Sequence, residues 1–187
     1  MNKRITNKLI FSMLFILSAG CICLAQDNSD LQYKLLATTK TSTMQKELDQ
    51  ASSQGYRIVA GSPTSGSEMA VFLSRDATAA EPYKYKLLAT TRTSTMQKEL
   101  NEMASAGYRL IPSTMIAKAQ LLGSVEIVMI MELPPNTEKK YEYKLLATTR
   151  TSTLQKEVTE AKNAGFVLVG MVSRDEHMVV MERESER

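Results

Sequence analysis

Three short segments of this sequence place a basic side chain beside hydroxyl groups, a combination that could bind an anion. They read TTKTST from Thr38, and TTRTST from Thr90 and again from Thr148. Each Ser is predicted to be the N-cap residue of a helix, where free N–H groups and hydroxyls suit an anion and a cation otherwise opposes the helix dipole. The candidate anion-binding residues are Lys40, Ser42, Arg92, Ser94, Arg150 and Ser152. The alternative interpretation is a capped, solvated turn, in which nearby glutamates pair with the cations.

The element that would position these residues is a helix, and both of its ends are marked in the sequence. Ser94 followed by Gln97 has the spacing of a capping box, in which hydroxyl and amide satisfy N–H groups at the helix start. Met96 and Leu100 fall on one helical face, and Gly107 is typical of a left-handed helix end. The matching residues of the other copies are Ser42, Gln45, Met44, Leu48 and Gly55, and Ser152, Gln155, Leu154, Val158 and Gly165.

Strands are predicted on both sides of each helix. In YKLLATT from Tyr85, alternate residues would face opposite sides of a sheet, and a hairpin follows the helix. VEIVMIMEL from Val125 is apolar on both faces, which predicts a central strand. The expected fold class is α+β: three tandem β-α-β-β repeats, with mainly antiparallel sheets each packed by one helix. Such a unit buries little apolar surface, so we expect the repeats to share a core.

The chain is expected to consist of a targeting segment and three repeats, at 31–76, 83–133 and 141–184. Residues 1–25 have a basic start, the apolar run LIFSMLFIL and then small residues, which is the order of a signal peptide. A retained membrane anchor is the alternative, although the apolar run is short for a spanning helix. The protein is therefore expected to be exported, either periplasmic or secreted.

Cys21 provides a second way to process the N-terminus. LSAGC resembles the lipobox of bacterial lipoproteins, in which the cysteine is lipidated, and this alternative stands beside cleavage after Ala25. The usual Leu three residues before the cysteine is replaced by Ser18. Membrane attachment is expected only if Cys21 is lipidated.

Charge and composition disfavour several classes of function. Three of the 23 Lys and Arg and none of the 20 Asp and Glu lie in residues 1–25, so the exported part would be neutral. Net neutrality argues against nucleic-acid binding, which needs a basic stripe. Both cysteines leave with this segment and the single histidine, His177, is expected at the surface, so no metal site or cofactor is predicted. Nucleophile-elbow, P-loop and dinucleotide motifs are absent, and the protein is not expected to be an enzyme.

The segment MIAKAQLLG, from Met115 to Gly123, occurs in the second repeat alone. It is expected to form a short apolar helix over the shared core. The alternative is a lid or a docking surface.

The repeat resembles a family of short bacterial domains of unknown function. These share a YEYK strand opening, a helix with L..EL...G spacing, and an aromatic residue after the glycine. Here YEYK is Tyr141 to Lys144 and YKYK is Tyr83 to Lys86. The aromatic residue is Tyr or Phe where the family often has Trp. The resemblance implies a fold and no activity, and the element order resembles dodecin in topology alone, with no residue basis for flavin binding.

The expected function is binding or interaction in the cell envelope, with an anionic ligand or an envelope protein as partner. An enzyme acting on an envelope substrate is the alternative. The near-identity of the three repeats extends to surface residues, which indicates either recent duplication or one surface used three times.

Overall fold

The computed structural model describes residues 32–64, 67–75, 81–120 and 123–185, and the expected α+β architecture of three β-α-β-β repeats is confirmed there. The helices are α1 (Thr41–Ser53), α2 (Thr93–Ser105) and α3 (Thr151–Asn163). The strands are β1 (Tyr33–Thr38), β2 (Tyr56–Pro63), β3 (Met69–Arg75), β4 (Lys84–Thr90), β5 (Arg109–Leu110), β6 (Ile116–Ala119), β7 (Val125–Leu133), β8 (Tyr141–Thr148), β9 (Val167–Ser173) and β10 (His177–Glu184). The predicted signal peptide and the lipidation site at Cys21 lie outside the described residues.

Each repeat forms its own antiparallel sheet, in which the last strand lies in the middle. The strand orders are β1-β3-β2, β4-β7-β5 and β8-β10-β9, and β6 also pairs with β7. The prediction for VEIVMIMEL is confirmed, because β7 is central and buried on both faces from Ile127 to Met131. The first strand of every repeat is therefore an edge strand.

The described part of the segment Met115–Gly123, residues 115–120 and 123, does not form the expected helix. A short 3-10 turn at Pro112–Thr114 is followed by β6, which pairs antiparallel with β7. Ile116 and Lys118 point inward and are buried. The apolar composition reflects the alternation of a half-buried strand and not a helical face.

Each helix ends as its sequence predicts, at a glycine with positive φ: 82° at Gly55, 92° at Gly107 and 87° at Gly165. At the end of α2, the N–H of Tyr108 then donates to the carbonyl of Met103 at 3.0 Å. This pattern satisfies the last carbonyls of the helix and turns the chain back toward the sheet. None of the three helices is long and apolar enough to cross a membrane, and no other described segment forms one that is.

The apolar cores lie between consecutive repeats. Met44 and Leu48 of α1 are fully buried in a cluster that combines the first sheet with Val128 and Ile130 of the second sheet. A second cluster around Leu100 of α2 likewise combines the second and third sheets. The expectation of a shared core is confirmed, because each of the first two helices is covered by two sheets.

The core beneath α3 is smaller, because the described residues form three sheets and none of them covers the outer side of α3. It contains Phe166, Val179, Met181 and Ala161. Along α3, all of which the structure describes, Ala161 alone is buried. Thus α1 and α2 are each packed between two sheets, whereas α3 packs against one sheet.

Candidate functional site

The predicted anion-binding cations lie at the helix starts, where they occupy the N-cap positions that the sequence assigned to serines two residues further along. Lys40, Arg92 and Arg150 are themselves the residues before the first helical turn, in extended conformation and without a side-chain cap. The backbone N–H of Arg92 donates to the hydroxyl of Thr90 at 3.1 Å, and the other two copies form the same turn. Ser42, Ser94 and Ser152 are exposed, within the first turn of each helix. The predicted serine caps are wrong, because the preceding threonine forms the local turn and the helix begins before the serine.

Two glutamines of the predicted capping boxes, Gln45 and Gln97, bind the next repeat and do not cap the start of their own helix. Gln45 Nε2 donates to the carbonyl of Tyr85 at 3.0 Å, and Gln45 Oε1 accepts from the N–H of Leu87 at 2.8 Å. Gln97 does the same with Tyr143 and Leu145, at 2.8 and 2.7 Å. A side-chain amide offers a donor and an acceptor side by side, as a neighbouring strand would. These two glutamines therefore cover the free edges of β4 and β8.

The starts of α1 and α2 are each contacted by an ion pair from the following repeat. Lys118 Nζ donates to the carbonyl of Thr39 at 2.8 Å and pairs with Glu126 at 3.1 Å. At α2, Arg174 donates to the carbonyl of Thr91 at 2.6 Å and pairs with Glu176 at 3.1 Å. The hydroxyl of Thr93 also donates to Glu176, at 3.2 Å. A carboxylate there interacts favourably with the helix dipole, and it opposes the binding of a second anion.

A groove of about 490 Å³ lies between the start of α1, the strand β4 and the side of α2. It brings Ser42 and Gln45 together with Lys86, Glu99 and Glu102. Glu102 pairs with Lys98 at 3.6 Å on the exposed side of α2. Because two glutamates line the groove, it does not favour an anion at Ser42. Across the described residues, no group of three or more His, Cys, Asp or Glu is arranged to hold a metal ion.

Each junction between repeats also contains an arginine, a glutamate and tyrosines. Arg57 pairs with Glu132 of the next repeat at 2.8 Å, and its guanidinium lies 4.3 Å from the ring centroid of Tyr83. At the second junction Arg109 pairs with Glu182 at 2.8 Å. Hydrogen bonding to these glutamates raises the pKa of both arginines. The arginines thus lie on one repeat and their acceptors on the next.

A tyrosine hydroxyl completes each junction. The hydroxyl of Tyr85 accepts from the N–H of Ile58 at 3.2 Å, and that of Tyr143 accepts from the N–H of Leu110 at 2.8 Å. The Tyr143 hydroxyl also donates to Glu182 at 2.6 Å. Burial raises the pKa of both tyrosines well above its usual value, and the bond to Glu182 adds to the effect at Tyr143. These hydroxyls therefore keep their protons and hold the edges of β2 and β5 against the next repeat.

One family model matches the chain. It is described as "Polyglycine hydrolase-like, structural repeat" and covers residues 40–72. The match lies within the first repeat, across α1, β2 and most of β3. It agrees with the presence of a structural repeat. Comparisons with curated proteins and with solved structures gave no match.

Among the described residues no repeat precedes the first one, and the outer face of its sheet carries exposed apolar side chains. Its exposed residues are Tyr33, Leu35, Val59 and Phe72, which we call the N-terminal face. Tyr33 is 58% exposed, whereas its equivalents Tyr85 and Tyr143 are 4% and 1% exposed. The tyrosine of the same sequence motif thus lies in a junction in the second and third repeats and at the surface in the first repeat.

Within the part of the chain that the structure describes, no repeat follows the third one, and a second apolar region is exposed there. Val167, Leu168 and Met171 of β9 are exposed, and with Gln155 of α3 we call them the C-terminal face. Leu168 is 55% exposed, whereas its equivalents Ile58 and Leu110 are 7% and 3% exposed.

Sequence reasoning missed both end faces, because it treated the copies as equivalent. A comparison of the junction residues between copies would have found them. Val167 stands where the other repeats have Arg57 and Arg109, and Ser74 stands where they have Glu132 and Glu182.

Proposed function

We propose that this protein is an exported, non-catalytic interaction module of the cell envelope. The observation that carries the proposal is the N-terminal face. Tyr33, Leu35 and Phe72 lie together on the outer side of the first sheet, and the rings of Tyr33 and Phe72 are 5.8 Å apart. A contiguous patch of large exposed apolar side chains is typical of an interaction surface.

The contacts of the ionisable groups at the junctions support a structural role for these groups and not a catalytic one. Perturbed pKa values often mark catalytic groups, but Arg109 and Tyr143 converge with Glu182 on a contact between repeats. The buried Lys118 likewise joins Glu126 to the start of α1. Arg109, Tyr143, Glu182 and Lys118 are each hydrogen-bonded across a junction, so these groups stabilise the stack of repeats.

The alternative of an enzyme would use the groove beside α2. Its two carboxylates, Glu99 and Glu102, lie on one helix, and Glu102 forms an exposed ion pair with Lys98 at 3.6 Å. Carboxylates that face each other across a deep pocket would favour catalysis. The groove provides a shallow surface instead, so we favour binding.

Anion binding is retained in a narrower form, as a proposal for the third helix start. Carboxylates from the next repeat lie near the starts of α1 and α2, whereas α3 belongs to the last repeat. Arg150 and Ser152 are exposed there. We therefore propose that an anion binds at Arg150 and Ser152 in preference to the equivalent pairs at the starts of α1 and α2.

The interaction proposal is tested by placing a photo-crosslinking amino acid at Leu35 in the producing cell. Ser105, which is exposed on α2 away from both end faces, is the matched control position. We expect adducts from Leu35 that are absent from Ser105. Equal labelling at the two positions, or none at Leu35, would contradict the proposal.

A further inference from the structure

We propose that the partner of the N-terminal face is the C-terminal face of a second copy of this chain, so that copies stack head to tail. This inference rests on the proposed function and names its partner. The two junctions inside the chain show how one repeat binds the next. Each end face carries one half of that same contact.

The first repeat carries the surface with which the second and third repeats each contact the repeat before them. Tyr33 and Leu35 have the positions of Tyr85 and Leu87, whose backbone groups bind Gln45. In the first repeat, the corresponding edge of β1 is at the outside of the sheet. Its apolar face is uncovered although its sequence, YKLLATT, is the one that is buried in the later repeats.

The third repeat carries the surface with which the first and second repeats each contact the repeat after them. Gln155 has the position of Gln45 and Gln97 and is exposed on α3. Leu168 has the position of Ile58 and Leu110, whose N–H groups bind the tyrosine hydroxyl of the next repeat. A second copy would bring Tyr33 to Leu168 and the edge of β1 to Gln155.

Burial gives an independent reason for this contact. Leu154 and Val158 of α3 are half-buried, whereas their equivalents in α1, Met44 and Leu48, are fully buried between two sheets. The missing cover over α3 is a sheet whose outer face is apolar. The first sheet of another copy has such a face.

The charges at the two ends change together. Inside the chain, an arginine of one repeat pairs with a glutamate of the next, at 2.8 Å in both junctions. At the ends, Val167 replaces the arginine and Ser74 replaces the glutamate. An arginine or a glutamate at a free end could remain solvated. An exposed valine on an edge strand, by contrast, contributes to stability only if another apolar surface covers it. A head-to-tail contact would bring Val167 close to Ser74, with no charge left unpaired.

One further substitution is compatible with the contact. Ser52 donates a hydrogen bond to the carbonyl of Tyr83 at the first junction, and Lys162 has the position of Ser52 in α3. An ammonium group is also a donor, and Ala104 at the same position of the second junction shows that the contact does not require one.

A symmetric dimer would use these surfaces less completely. Two N-terminal faces packed against each other would bury Tyr33 and Phe72 but leave Leu168 and Gln155 in solvent. The head-to-tail contact covers both faces at once. It is heterologous and open, so it is expected to produce a series of oligomers and not one closed dimer.

The test uses the chain from Gln26 and two substitutions, Leu35→Asp on the N-terminal face and Leu168→Asp on the C-terminal face. Ser105→Asp is the matched control, and circular dichroism checks that every variant is folded. By sedimentation velocity, we expect the parent and the control to form larger species as concentration rises. Each Asp variant should lose association by more than about 30-fold, as for a residue at the centre of an interface.

Mixing the two Asp variants decides between the arrangements. Leu35→Asp keeps its C-terminal face and Leu168→Asp keeps its N-terminal face, so the mixture should form a complex of one copy each and grow no further. The inference is overturned if the parent stays monomeric, if Leu168→Asp associates like the parent, or if the mixture forms no complex. In the first case, an adduct between Leu35 and another envelope protein would leave the proposed function standing.

Discussion

The side-chain amide of Gln97 is hydrogen-bonded to the backbone of the next repeat, where its Oε1 accepts from the N–H of Leu145 at 2.7 Å. Its Nε2 donates to the carbonyl of Tyr143 at 2.8 Å. One side chain of the second repeat thus takes the place of a neighbouring strand at the edge of the third sheet.

Replacing Gln97 with Ala is expected to lower the free energy of unfolding by about 1–2 kcal/mol, because the N–H of Leu145 loses its partner and the carbonyl of Tyr143 keeps only its hydrogen bond from Asn101. The measurement is chemical denaturation of the dilute protein. Gln155→Ala is the matched control, since the same residue in α3 is exposed. It should change the free energy by less than about 0.5 kcal/mol. Equal effects at the two positions would show that the contact with Leu145 contributes nothing.

Glu182→Gln is expected to destabilise the protein by about 1–3 kcal/mol, because the buried carboxylate accepts from Arg109 and from the hydroxyl of Tyr143. This destabilisation is smaller than is usual for the loss of one partner of a buried ion pair, because the side chain of Arg109 is half exposed and water can replace part of the interaction. Glu184→Gln on the same strand is the control, and no measurable change is expected there, because its pair with Lys139 is exposed. A neutral Glu182→Gln would contradict the role of the ion pair at the junction.

Leu100→Ala is expected to cost about 2–5 kcal/mol, because the side chain is fully buried between the second and third sheets. Val158→Ala, at the equivalent position of α3, should cost less, since it is only half-buried. We expect one cooperative thermal transition for the whole chain, because the repeats share their cores. An isolated second repeat, residues 83–133, that melts cooperatively as a monomer would contradict this coupling.

Stability is expected to fall in alkaline solution because of Tyr85 and Tyr143. Burial raises the pKa of both hydroxyls in the folded state, whereas in the unfolded chain it is about 10. The folded protein therefore binds more protons than the unfolded chain above about pH 10, and the free energy of unfolding declines as pH rises from there. The double variant Tyr85→Phe and Tyr143→Phe should show a shallower decline between about pH 8 and about pH 11. Parallel profiles for parent and variant would rule out these tyrosines as the cause.

Anion binding is expected at the start of α3 before the other two helices. In titrations with phosphate, sulfated glycans and acidic lipid vesicles, Arg150→Ala should weaken binding, and rising salt should weaken it in the parent. Arg92→Ala is the matched control, because Glu176 already lies at the start of α2. If Lys40, Arg92 and Arg150 can all be replaced by Ala without loss of binding, or if the parent binds no anion, the basic residues have no role as an anion site.

The element order could be predicted from the sequence because its signals are local. Apolar periodicity fixed each helical face, Gly107 and its equivalents fixed the helix ends, and the two-sided apolar strand Val125–Leu133 had to be central. The strand at Ile116–Ala119 was mistaken for a helix, since a short apolar segment fits either structure until its pairing with β7 is known.

The sequence by itself determined that the chain contains three β-α-β-β repeats, because each copy must bury the same periodic apolar residues. Only the tertiary structure decided what those residues contact. Ser94 and Gln97 have the spacing of a cap within one helix, yet Gln97 binds a strand whose residues lie 46 and 48 positions further along the chain. Leu110 and Leu168 occupy equivalent positions, and Leu110 is buried while Leu168 is exposed, because among the described residues a following repeat packs against Leu110 and none packs against Leu168. Local patterns record which side a residue faces, whereas the partner on that side depends on the packing of distant segments.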